Sequence, residues 1–532
     1  MQSELRTTGE RRDLLERAAD SLDNWLAAHQ RLYLSLAAGL SLLTFAGYAH
    51  VKAPWMDEVL EITIARLSGV RAIWAALMDG VQVDPPVLHS MLHFMLRIAG
   101  DRVFFAARLP AVAGFTLMCV SLACLAWRHA PPEYAAAVYF LPYATVLRVW
   151  AMDVRPYGLM MGLSALALLC WDGMEAPRHR TAWRIGFTLS LAAAFSTHFY
   201  SILLLFPLGC GELAKWILRR RLDWRTFLSV GAALIPYLLW SPILFSGSTR
   251  FMKHYFYKAA FKNLADFFGW AIASLPVAGL LLALIAALVI QKNMRMETIP
   301  RAALSDRQRA LLAVTGGFLL VPVVGYAAGV LATGFFVPYY HIIAAFGVIL
   351  GIALVLAVFS GHNRIVGLSL FVVMLGHGLF VSARGLSGFV RREAPYPSLS
   401  DLRKLIPESR PDIVVPSPMN FLPFQEATRS DPENNLLYLF DAAKAFEDAG
   451  TDTSEIVYAQ LRGRTAARIE PFDSYTATHR RFYIAVLGDK GIQEWQFHYL
   501  LKSAHAGLFW LGKVGDFDLF RVDLHAGGAD GS

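Results

Sequence analysis

Apolar residues in this chain run in long uninterrupted blocks instead of alternating with polar ones. The blocks span residues 32–51, 103–127, 133–151, 156–172, 183–198, 200–218, 226–246, 268–291, 310–334, 339–359 and 365–383. Most are roughly 18 to 25 residues long, which carries a helix across about 30 Å of hydrocarbon. The pattern therefore predicts about eleven membrane-spanning helices. The first block is too long for the apolar part of a signal peptide, so it reads as a retained anchor behind a charged, helix-prone segment over residues 1–31.

The polar stretches between blocks fix an orientation. Arg128, then Arg178, Arg180 and Arg184, then Lys215 and Arg219 to Arg221, then Lys292, Arg295, Arg301, Arg307 and Arg309 all fall on alternate connections. Cytoplasmic loops carry such an excess of Lys and Arg, which places the N-terminus inside and, with an odd number of spans, the C-terminus outside. From Pro395 the pattern changes in kind. Short β-like runs, Ile413 to Val415 and Phe482 to Leu487, mix with helix-like stretches, Leu436 to Ala449 and Ile492 to Ser503. We expect a membrane module over 32–385 with a large outer loop at 52–102, followed by a small extracytoplasmic α/β domain over 395–525. Apart from the short tail Gly527 to Ser532 there is no low-complexity tract, and there are no repeats.

Composition supports this reading and narrows the partners. Of 532 residues, 56% are hydrophobic and 17% charged, and the mean hydropathy is +0.43, more apolar than a soluble core requires. All four cysteines, Cys119, Cys124, Cys170 and Cys210, lie inside apolar blocks, which suggests neither a disulfide framework nor a cysteine metal site. The net charge of +8 comes mostly from the topogenic loops, so nucleic acid is excluded as a partner.

Once sides are assigned, the chemically capable motifs gather on the outer one. Asp57-Glu58 follows the first span, where a carboxylate escapes the cost of mid-bilayer burial and can act as a base on a bound alcohol; alternatively Asp57 caps a helix beginning at Val59. Asp84 precedes Pro85-Pro86 in an N-cap arrangement, and His89 and His93 follow at i, i+4 spacing, without an obvious third metal ligand. The tight turn Met152 to Tyr157 offers Asp153 and Arg155, either as an ion pair or with the Arg155 fork on a phosphate. Thr197-His198-Phe199-Tyr200 forms a second outer turn. The segment Arg250 to Lys262 carries Arg250, Lys253, Lys258 and Lys262 outside, against the topological bias, among aromatics; a lipid phosphate accounts for both features, and contact with anionic headgroups is the alternative. Tyr339-Tyr340-His341 opens the tenth block at the same level, where an aromatic-belt role is the default.

The run from Ala53 to about Leu205 resembles the GT-C superfamily of membrane glycosyltransferases, in particular bacterial protein O-mannosyltransferase-like enzymes and the lipid A aminoarabinose transferase. Asp57-Glu58 sits where that family has an acidic pair after its first span. Asp84 to Leu88 resembles its Pro-Pro-Leu segment, Ala107 to Pro110 its Arg-Leu-Pro turn, Asp153 to Tyr157 its acid-x-Arg-x-Tyr turn, and Thr197 to Tyr200 its His-Tyr turn. Near the tenth span, relatives often carry Arg-Tyr where this chain has Tyr339-Tyr340. The resemblance implies a GT-C-like, mainly α polytopic bundle and an inverting transfer of a sugar from a polyprenyl-phosphate donor to an extracytoplasmic acceptor (lipid, glycan or protein). It also implies roles. Asp57 would be the general base, with Glu58 beside it, and Arg155, Lys253 and Lys258 would bind the donor phosphate. Asp84, His89, Asp153, Tyr157, His198, Tyr200 and His341 would position substrate. Some relatives use a divalent metal and others do not, so a metal is left open.

The competing reading is a polyprenyl-phosphate sugar or lipid transporter without transfer chemistry. It calls for mid-bilayer ionisable residues along a path and for pseudo-symmetric halves, neither of which the chain shows; a scaffold would not gather acids and bases at several turns. Composition and topology fit a bacterial inner membrane.

Overall fold

In the computed structural model, the described residues are 16–100, 102–251, 254, 255, 257–271, 304–390, 398–409, 411–487 and 493–525. The chain divides into two compact units, one made of Met1–His50, Arg108–Leu239 and Ala259–Arg391, the other of Val51–Ala107, Trp240–Lys258 and Arg392–Ser532.

The first unit is helical. Seven helices among the described residues are long and apolar enough to cross a membrane, six of them bounded within or mostly within this unit: Gln30–Val51, Val103–Trp127, Phe199–Arg219, Asp306–Thr333, Pro338–Val358 and Arg364–Val390, with Trp224–Gly247 running from it into the second unit. The expected fourth and fifth spans form the helices Pro156–Gly173 and Arg180–Thr197. Most of the expected eighth span, 268–291, lies outside the described residues. The third expected span is not one straight helix. It breaks between Pro132–Ala144 and Val146–Met152 with a bend of 72°, because Pro142 supplies no backbone donor and the extended Thr145 takes the Leu147 N–H on its own hydroxyl.

Close backbone contact sets how these helices cross. A Cβ on Gly114 would fall 2.3 Å from the Gly158 carbonyl oxygen, and one on Gly162 would fall 2.3 Å from that of Gly114, so the helix that begins at Pro156 is clamped to Val103–Trp127 by small residues. The expected Arg-Leu-Pro turn is absorbed into this second helix: Pro110 sits inside it, and the buried Arg108 donates to the Ala49 carbonyl at 2.7 Å. At the far end of Pro156–Gly173, Asp172 is held by Arg128 at 3.0 Å, His129 at 2.8 Å and Arg307 at 3.0 Å. Burying such a charge is tolerable only with partners of this kind.

The second unit contains a six-stranded mixed sheet of order β3-β2-β1-β4-β6-β5, with β1 Ile413–Val414, β2 Leu436–Phe440, β3 Arg468–Pro471, β4 Arg481–Val486, β5 Ala506–Val514 and β6 Phe517–Leu524. β3, β2, β1 and β4 are parallel, while β6 pairs antiparallel with β4 and β5. Leu437, Leu439, Phe482, Ile484, Trp495 and Val522 meet in its core. Residues 436–449 are not the single helix that their composition predicts. Leu436 to Phe440 is a strand and only Ala442–Ala449 is helical, with Asp441 capping it through the Ala443 and Lys444 amides. A strand covered on both faces reads as a continuous apolar run, which periodicity cannot tell from a buried helix.

Candidate active site

In the second unit, a short connection, Lys52 to Trp55, ends at an extended Trp55, whose carbonyl accepts the Val59 amide and starts the helix Met56–Ala65. Asp57 and Glu58 therefore lie in the first helical turn, where carboxylates suit the dipole, and Asp57 does not cap a helix at Val59. The two acids differ in environment. Glu58 is fully buried and sits 3.0 Å from Lys52 Nζ, whereas Asp57 is half-buried and lies close enough to Tyr257 that its charge adds to burial in raising the tyrosine's pKa.

Three and four residues on, the same helix carries Glu61, which no motif marks. It is fully buried, 2.7 Å from His89 Nε2, and accepts from Gln82 Nε2 at 2.7 Å. The same amide reaches Asp84 at 3.0 Å, and Gln82 Oε1 lies 3.3 Å from His89. Glu61, His89, Gln82 and Asp84 thus form one buried polar network behind the Asp57 turn. Asp84 is not an N-cap: the helix is Val87–Leu96 and Pro86 precedes it, so the carboxylate is available to the Gln82 amide. His93 turns away from His89, with Nδ1 2.8 Å from the Ala65 carbonyl and Nε2 3.0 Å from Arg97. Among the described residues, no group of three or more His, Cys, Asp or Glu side chains is placed to hold a metal ion.

The basic segment contributes unevenly. Lys253 lies outside the described residues. Lys258 is exposed. His254 is engaged by the sheet domain, 2.8 Å from Asp452 and stacked on Phe446 with ring centroids 3.9 Å apart.

In the first unit, three 3₁₀ segments, Val146–Met152, Phe199–Leu204 and Pro338–Ala344, bring an aromatic cluster together. Tyr157, fully buried, meets Trp150 at 4.5 Å, His198 at 5.1 Å, Tyr339 at 5.8 Å and Tyr340 at 6.4 Å. Tyr340 also meets Tyr200 at 4.4 Å and His198 at 5.1 Å. Arg155 precedes Pro156 at the helix start, as expected, with its guanidinium 5.5 Å from the Tyr157 ring centre and Nη2 3.4 Å from the Tyr157 hydroxyl. Asp153 and Arg155 are both buried. His198 Nδ1 accepts the Tyr200 amide at 3.1 Å, which leaves the proton of a neutral ring on Nε2. His341 is buried behind the cluster, stacked on Phe336 and bonded through Nδ1 to the Val337 carbonyl at 2.9 Å. It packs so tightly on Gly325 that a Cβ there would fall 1.9 Å from Nε2. The structure thus unites Arg155, Tyr157, His198 and Tyr200 with Trp150, Tyr339 and Tyr340. Trp150 gave no signal inside its apolar block, while Glu61 could have been found as a carboxylate in the apolar run Val59 to Ala65.

No protein-family model matches the sequence, and no curated protein does. Among solved structures, ArnT from Cupriavidus metallidurans bound to undecaprenyl phosphate aligns over 93% of this chain and 98% of its own, at 13% identity and a TM-score of 0.51. The chain has the fold of ArnT. The apo state of the same protein aligns over the same shares at 13% identity, with a TM-score of 0.47. At this identity the likeness establishes architecture alone: a multi-pass helical module and a small C-terminal sheet domain.

Proposed function

We propose that the protein is an integral membrane glycosyltransferase that moves a sugar from a polyprenyl-phosphate-linked donor to an extracytoplasmic acceptor, with inversion. The observation that carries this reading is Asp57: on a GT-C architecture, it is the member of the acidic pair left half-buried, while Glu58 is buried against Lys52. In the proposed reaction Asp57 takes the acceptor's proton as the acceptor oxygen bonds to the anomeric carbon. The bond from that carbon to the phosphate oxygen breaks on the opposite face, and polyprenyl phosphate departs with the electron pair. Arg155, with Lys253 and Lys258, would stabilise that departing charge. Glu58, Asp84 and Asp153 would position substrate, His89 would hold the Asp57 turn through Glu61, and Tyr157, His198 and Tyr200 would form an aromatic wall backed by His341. The gathering of 51–107, 240–258 and 392–532 into one unit supports placing them on one side of the membrane. With the basic loops, this favours a cytoplasmic N-terminus in a bacterial inner membrane.

The test is release of free polyprenyl phosphate from a panel of radiolabelled polyprenyl-phosphate sugars by purified protein in lipid, comparing wild type with Asp57→Asn. Turnover lost in a variant that still binds donor is the expected result. Equal turnover in both proteins would remove Asp57 as base, and binding without turnover in both would favour transport, to be checked by a flipping assay.

A further inference from the structure

The second unit holds a cavity of about 320 Å³ to which the transfer scheme assigns nothing. Its walls are one side of the helix Met56–Ala65 from Val59 onward with Arg66, the helix Pro418–Ala427 with Gln425 and Glu426, and the turn after Thr453–Leu461. In that turn Gly463 stands at φ 73°, a left-handed position that suits glycine. It reverses the chain so that Arg464 and Thr465 line the cavity.

The charges on the walls are unbalanced. Arg66, Arg429 and Arg464 face a single lining carboxylate, Glu426. The Arg66 fork grips that carboxylate with both arms, at 2.6 and 2.8 Å, and Arg429 approaches the same group at 3.7 Å. Arg464 pairs with Asp79, which is not a lining residue. Even counting Asp79, positive charge is in excess. An arginine fork closed on a planar oxyanion, with a second guanidinium near and two threonine hydroxyls, Thr63 and Thr465, on the walls, is the arrangement that recognises phosphate. A dianion is favoured over another carboxylate, because it must displace the singly charged Glu426. Val59, two residues past Asp57, lines one end of the cavity, while neither Asp57 nor Glu58 lines it. Arg66 lies nine residues past Asp57 along the same helical path, about 14 Å away.

We propose that this cavity is a second anion site, which binds a phosphate-type group between Arg66, Arg429 and Arg464 while Glu426 acts as the internal competitor that the ligand displaces. This goes beyond the transfer reading and does not depend on it. The phosphate can belong to a soluble compound or to a lipid, and the test separates the two. Full-length protein in phosphatidylcholine nanodiscs is titrated with inorganic phosphate by calorimetry, and binding to vesicles is compared with and without phosphatidate.

Glu426→Gln is expected to bind the phosphate probe about tenfold more tightly than wild type, and Arg464→Gln and Arg429→Gln about tenfold more weakly, the size of one charged hydrogen bond. Arg429 is largely exposed, with 58% of its side chain accessible, so its replacement reads out binding without disturbing folding. Arginine-dependent binding of inorganic phosphate marks a soluble ligand; the same dependence seen only with phosphatidate marks a lipid one, and either supports the site. Asp57→Asn should bind as wild type does, which keeps this result independent of catalysis. Arginine variants that match wild type in both arms, or a Glu426→Gln variant that gains nothing, would overturn the proposal.

Discussion

Nε2 of His89 lies 2.7 Å from a carboxylate oxygen of Glu61, and solvent reaches neither side chain. The pair joins the helix carrying Asp57 to the helix Val87–Leu96, with the Gln82 amide bonded to the same glutamate. Removing one member strips the other of a buried hydrogen-bond partner, a loss of roughly 1 to 3 kcal/mol. Glu61→Ala should therefore lower the melting temperature of the detergent-solubilised protein and cost activity along with it. Replacing both, as Glu61→Gln with His89→Gln, should recover much of that stability. A Glu61→Ala protein that melts like wild type would show that the pair holds nothing in place.

The acidic pair should separate by readout. Asp57→Asn keeps size and removes the base, so turnover should fall by roughly 10² to 10⁴-fold, the usual share of general base catalysis, with little change in melting temperature. Glu58→Gln removes the partner of Lys52 in a buried setting, so its main effect should be on stability. The reverse pattern, with stability following Asp57 and turnover following Glu58, would exchange their roles.

How much of this was legible follows from what each residue meets. Apolar blocks announce helices because lipid forces the backbone to satisfy itself within each segment, and nearly every expected span among the described residues is helical. The break at Thr145 was hidden, since a single threonine after a proline is common inside apolar runs. The sequence also marked Arg155, Tyr157, His198 and Tyr200 because short polar turns stand out against apolar surroundings. Trp150 and Glu61 were not marked. A lone carboxylate in the apolar run Val59 to Ala65 was the available signal for Glu61, whereas the place of Trp150 depends on partners distant in sequence, which periodicity does not encode. Arg128 and Arg307 looked purely topological, yet both are bonded to Asp172.

Arg155 offers a test of geometry against charge. Its guanidinium rests over Tyr157 and, in the proposed reaction, presents a planar fork to phosphate. Lysine keeps the charge and loses the fork. Arg155→Lys should lower kcat/KM for the polyprenyl-phosphate donor by about 10- to 100-fold, the range of one or two charge-assisted hydrogen bonds. Activity close to wild type would reduce the role of Arg155 to that of a point charge.

The sheet domain should impose a pH dependence on stability through Glu455. Burial pushes this carboxyl up to about 7, even though it accepts from Tyr438 Oη at 2.5 Å, the Asp441 amide at 2.9 Å and Trp495 Nε1 at 3.1 Å. Between its unfolded value of 4.5 and about 7, the folded domain retains a proton that the unfolded chain has released. Linkage then requires stability to fall as pH rises through that window and to level off above it. The contribution is at most about 3 kcal/mol. Glu494, also pushed up to about 7 by burial, acts in the same direction. Glu455→Gln cannot titrate, so the difference in melting temperature between wild type and this variant should change across the window and stay constant above about pH 8. A difference that stays flat from about pH 5 to 8 would mean that Glu455 is ionised in the folded domain, held by its three donors, and that hydrogen bonding there outweighs burial.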